Sequence, residues 1–83
     1  MTEQKDKLPG LRISDAARAA GVTKQTIEYY IMLGLVNPLR VRKDRRSMRF
    51  FDEKTIKRIK LVRQLNDSGY TLRDIRQTYL NKR

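Results

Sequence analysis

The sequence predicts a mainly α fold, a winged helix-turn-helix with a short two-stranded β wing and two further helices. Three observations predict it. Residues 14–35, SDAARAAGVTKQTIEYYIMLGL, read as two short helices around a Gly21-Val22-Thr23 turn. Residues 39–51, LRVRKDRRSMRFF, alternate apolar and polar positions as a hairpin does. Two later segments carry apolar residues at helical intervals, and each opens on a capping residue, Asp52 and Thr71.

Residues 1–10 are expected to form a flexible tail, polar and closed by Pro9-Gly10 before Leu11 and Ile13, the first residues expected to be buried. The folded domain is expected over 11–80, with 81–83 as the C-terminal end. Ser14 is the expected N-cap of the first helix, whose alanines Ala16, Ala17, Ala19 and Ala20 favour helix strongly. Gly21 suits the left-handed residue that ends a helix, and Thr23 suits the next N-cap. In the second helix Ile27 and Ile31 share a face, with Tyr30 and Leu33 nearby, while Lys24, Gln25, Glu28 and Tyr29 point elsewhere. Gly34 closes that helix. Residues 35–38 form an exit turn, because Pro38 cannot continue a helix and restricts Asn37.

In the hairpin Leu39, Val41, Met48 and Phe50 alternate with polar neighbours, and residues 43–47 are the expected tip. Arg40, Arg42, Lys43, Arg45, Arg46 and Arg49 face a single acid, Asp44. The competing reading is a solvated charged loop, against which stands the Phe50-Phe51 pair, since two such rings need a core. The third helix starts at Asp52, with Glu53 at the positive end of its dipole. Ile56, Ile59, Leu61, Val62 and Leu65 are its expected buried stripe, and residues 66–69 end it. Tyr70 is expected to pack at the corner. Thr71 caps a fourth helix with Leu72, Ile75, Tyr79 and Leu80 as its apolar face.

Composition bounds the function. The 83 residues suit one domain, and 20 Lys+Arg against 9 Asp+Glu leave a net charge of +11. Such density points to a polyanion, nucleic acid before an anionic membrane surface. No apolar run approaches the length of a membrane span, and the N-terminus lacks the apolar stretch of a secretion signal. There is no Cys and no His. Thiolate and imidazole metal sites are thereby excluded, together with the commonest general base. No carboxylate pair is evidently placed for acid–base work, so a cytoplasmic protein that is neither an enzyme nor dependent on a metal or cofactor is expected.

The junction residues resemble those of the MerR family of bacterial transcription regulators. That family's helix-turn-helix pattern is met by Ile13, Ala17, Gly21-Val22, Thr26-Ile27, Tyr30 and Gly34-Leu35, with Tyr29 as the first of a tyrosine pair. Arg49 and Phe51 match the end of the family's wing. Gly69-Tyr70-Thr71-Leu72-Arg73-Asp74-Ile75 echoes the start of its fourth helix. Glu28 departs from the pattern, standing where the family usually has arginine, and Ser47-Met48 replaces a Gly-Tyr pair. The resemblance implies a MerR-like DNA-binding domain that regulates transcription in the bacterial nucleoid. It implies double-stranded DNA as partner, a homodimer in the full-length or DNA-bound form, and RNA polymerase as a further partner. Most family members continue into a long dimerisation helix. The chain is therefore read as a fragment of a longer regulator, as a minimal member that pairs otherwise, or as an excisionase-like architectural protein. A protein–protein adaptor of a larger regulator is the reading outside DNA binding.

Candidate DNA contacts follow from chemistry and position. Thr23 and Lys24 open the second helix, where side chains and backbone N–H groups meet phosphate or base edges. Gln25 is either an adenine reader or a solvated side chain. Tyr29 projects away from the Ile27/Ile31 face, and the resemblance implies a phosphate contact for its hydroxyl; a core position is the alternative. Glu28 either accepts from cytosine N4 or forms an ion pair, with Lys24 one turn earlier or with a neighbouring arginine that it orients; the pair is favoured. Arg42, Lys43, Arg45, Arg46 and Arg49 are expected to hold the wing on the DNA backbone or in a minor groove. Lys57 or Arg58 on the third helix can extend that track.

Overall fold

The computed structural model describes residues 9–80, the last two as backbone. In chain order they form α1 (Ile13–Ala20), α2 (Lys24–Met32), β1 (Leu39–Lys43), β2 (Arg46–Phe50), α3 (Glu53–Asp67) and α4 (Leu72–Asp74), whose winding widens to a π-helix over Ile75–Leu80. Residues 1–8 and 81–83, with most of the expected tail and the chain end, lie outside the described residues, as do the side chains of Tyr79 and Leu80.

The local signals for the turn act as their chemistry dictates. Gly21 takes φ 73°, ψ 32°, and its N–H and that of Val22 close the end of α1 on Arg18 and Ala17 carbonyls. Thr23 caps α2 by accepting from the Thr26 N–H at 3.1 Å. Gly34, at φ 80°, turns the chain after α2 so that Leu35 and Val36 enter the core. Asp52 and Thr71 cap α3 and α4 in the same manner, accepting from Thr55 and Asp74 at 2.8 and 3.0 Å.

The core joins α1, α2, the exit turn, Phe51, α3 and the fourth helix. Ala16, Ala17, Ile27, Tyr30, Leu35, Phe51, Ile59, Val62 and Ile75 belong to one buried cluster, and Ile31, Leu33, Ile56, Leu65 and Leu72 pack on its margin. The alanines let α1 approach α3 closely. The hairpin is antiparallel in the register Leu39↔Phe50, Arg40↔Arg49, Val41↔Met48, Arg42↔Ser47 and Lys43↔Arg46.

Four expectations are corrected. Ser14 is not the N-cap of α1. Arg12 holds that place, at φ −79° and ψ 166° with no side-chain cap, and Ser14 lies in the first turn. The cause is tertiary: Leu11 exchanges N–H···O bonds of 2.9 and 2.7 Å with Phe51, which pins extended backbone up to Leu11 and lets the helix begin at once. Leu11 itself is exposed, because that bridge fixes its backbone and not its side chain. The wing tip is Asp44-Arg45 alone, with Lys43 and Arg46 already paired; Asp44 accepts φ 58° there, a conformation Asp tolerates better than most. Leu61 is exposed, being about 200° around the helix from Ile59. Tyr70 stands half-exposed at the corner, its N–H reaching the Leu65 carbonyl at 3.1 Å and its carbonyl accepting from Asn66 Nδ2 at 2.8 Å.

Gly10 is packed where a tail residue was expected. A Cβ there would stand 2.6 Å from the carbonyl carbon and oxygen of Phe51, so this close approach of two backbones requires glycine.

Candidate nucleic-acid interface

Strand alternation divides the hairpin into two faces. Leu39, Val41, Lys43, Arg46, Met48 and Phe50 share one. The Arg12 guanidinium lies against part of it, 5.6 Å above the Phe50 ring centroid and 3.6 Å from Met48 Sδ. The opposite face carries Arg40, Arg42, Ser47 and Arg49. Arg40 and Arg49 are cross-strand partners of like charge, an arrangement that is unfavourable by itself. Glu28 relieves it. Arg49 Nη1 donates to Glu28 Oε1 at 3.0 Å, and Nη2 to Oε2 at 2.7 Å. This two-pronged geometry is the strong form of the Arg–carboxylate bond.

The pair therefore ties α2 to β2, and the basic face of the wing is the one that carries this link to α2. It also decides between the two pairings favoured for Glu28 and shows what holds Arg49. Glu28 pairs with Arg49 and not with Lys24, which is the alternative of an orienting bond to an arginine. Arg49 does not project as a free anchor: its side chain is 27% exposed and both terminal nitrogens are engaged. The bond holds the Glu28 carboxyl below its ordinary value and the Arg49 guanidinium above its own.

On α2, Lys24, Gln25, Glu28 and Tyr29 are all exposed, and spacings of three and four put them on adjoining turns of one side. Tyr29 is 48% exposed while its neighbour Tyr30 is buried. Burial raises the Tyr30 hydroxyl above its ordinary value. Thr23 is more committed than expected, because its hydroxyl donates to Thr26 Oγ1 at 3.0 Å while accepting the capping N–H. Arg42, Lys43, Arg45 and Arg46 are exposed along the outer half of the hairpin. Lys57 and Arg58 are exposed on α3.

Arg63 was missed as a functional residue. Its Nη1 donates to the Gly21 carbonyl at 2.8 Å, and its Nε lies 3.4 Å from Asp67. It thus fastens the helix-turn-helix corner to α3. The i,i+4 relation to Asp67 was visible in the chain, but nothing pointed to Gly21. Among the described residues no group of three or more His, Cys, Asp or Glu could hold a metal ion. No helix among them is long and apolar enough to cross a membrane.

The family model described as MerR HTH family regulatory protein matches residues 11–82. The chain is 37% identical over 71 residues to the HTH-type transcriptional regulator CueR of Bacillus subtilis (strain 168), covering 86% of this chain and 48% of that protein. It is 35% identical over 65 residues to the mercuric resistance operon regulatory protein of Bacillus cereus, covering 77% of this chain and 47% of that protein. The chain thus spans about half the length of these curated relatives. No solved structure matches it.

Proposed function

Because this chain belongs to the MerR family of helix-turn-helix regulatory proteins, a family of DNA-binding transcription regulators and not of enzymes, we propose that it binds double-stranded DNA with a sequence preference. In this reading α2 enters a major groove and the wing grips the flanking backbone. Lys24, Gln25 and Tyr29 meet base edges and phosphates from the helix. Arg42 meets phosphates from the hairpin face tied to α2, and Lys43, Arg45 and Arg46 meet them from around its tip.

One observation carries the proposal. The bidentate Glu28–Arg49 bond joins α2 to the same hairpin face that bears Arg40 and Arg42, so one duplex can touch both. A single short helix reads only about three to four base pairs, so useful discrimination calls for two half-sites and hence a dimer on DNA. Control of transcription follows the names of the relatives, and RNA polymerase as a further partner is what the family resemblance implies.

The test is duplex binding by the full chain beside Lys24→Ala, Tyr29→Phe and Arg42→Ala combined. The triple variant is expected to lose at least tenfold in affinity while keeping its circular dichroism. Equal affinity in both proteins would remove this surface from the account. An architectural protein would instead give a footprint of tandem contiguous repeats rather than one inverted repeat.

A further inference from the structure

We infer that Glu28 reads the amino group of a cytosine in the major groove, and that Arg49 is the positioning residue that equips it to do so. The inference rests on the docking proposed above and adds the base class at one position of the site.

Glu28 lies one turn beyond Lys24 and Gln25 on the exposed side of α2, and its side chain is 52% exposed, so a base edge can reach it. Each carboxylate oxygen takes one bond from Arg49. An ionised carboxylate offers about four lone-pair sites, so each oxygen keeps one for a second donor. Arg49 contributes in three ways. Its fork fixes the plane of the carboxylate. Its charge offsets that of an acid which would otherwise be repelled by the phosphates flanking the groove. Its bond also favours the ionised form of Glu28, which is an acceptor only. The wing thereby acts on base reading without touching a base.

The chemistry of the groove then selects the base. Guanine presents the acceptors N7 and O6, and thymine presents O4, all of which an acceptor-only group repels. Adenine has an amino donor, but its N7 acceptor lies beside it. Cytosine alone presents its N4 amino group as its sole polar group there. Arg49 cannot take the guanine edge with its terminal fork, because both nitrogens are committed to Glu28.

Selection from randomised duplexes at fixed low salt tests this, with the full chain compared to Glu28→Ala, Glu28→Gln and Arg49→Lys. The native chain is expected to favour cytosine at one position of the selected site by roughly tenfold over other bases. Glu28→Ala should lose the preference at that position alone. Glu28→Gln should move it towards adenine, whose N6 and N7 an amide can pair. Arg49→Lys, which keeps the charge and loses the fork, should weaken it without altering the neighbouring positions. A purely structural role for Arg49 would weaken all positions equally. If native chain and Glu28→Ala enrich the same sequences, the inference is overturned while the docking stands. If the native chain enriches no sequence, the docking fails and the inference with it.

Discussion

Glu28 is where local chemistry and tertiary structure meet. In the chain it is the one acid of a short helix whose one base is Lys24, and its partner lies 21 residues away. The pair makes a prediction with a definite sign. The folded-state value of Glu28 lies below its ordinary 4.5. The bond therefore contributes its full stabilisation above that value, and the contribution fades as pH falls through the lower folded value. With the side chain half-exposed, solvent screens the pair to at most about 1 kcal/mol. Thermal unfolding of the native chain and Glu28→Gln should thus differ near neutral pH and converge in acid. A difference that widened on acidification would contradict the pairing.

At the scale of the element, each helix is bounded by a residue whose role is local. Thr23, Asp52 and Thr71 each accept one of the N–H groups that a helix start leaves without a partner. Asp52 is the most consequential of them, because it follows Phe51, whose ring is fully buried and whose backbone bridges Leu11. Asp52→Ala should lower the midpoint of chemical denaturation, with the slope unchanged. An unchanged midpoint would mean that packing by Phe51 alone holds the start of α3. These boundaries were legible because capping depends on residues three apart. The first helix shows the limit: Ser14 had the right chemistry, but a bridge from Leu11 to a residue 40 positions later started the helix earlier. The buried stripe of α3 was legible at Ile59 and Val62, which share a face. It failed at Leu61, where hydrophobicity was counted without its angle.

For the molecule as a whole, charge dominates. A net +11 on 83 residues cannot be neutralised from within, and the ion pairs among the described residues engage few of the cations. If binding neutralises roughly six to ten phosphates, affinity should fall about 10³- to 10⁵-fold between 50 and 200 mM salt. Titrations across that range give the slope directly. A slope near zero would mean that apolar contact drives association, as for a protein–protein adaptor. Folding does not lessen the net charge; it decides which basic groups face one way. The hairpin register puts Arg40, Arg42 and Arg49 on one face and Lys43 and Arg46 on the other, where the Arg12 guanidinium lies over the Phe50 ring.

The helix-turn-helix, the wing and the two later helices were readable along the chain. Caps, turns and alternation depend on residues within a few positions of each other, and the basic balance needs only a count. The tie between Arg49 and Glu28, the clasp of Arg63 on Gly21 and the contact of Gly10 with Phe51 arise only on folding. Each joins groups far apart in the chain through packing of the core between them. No local preference of either partner specifies that distance or direction.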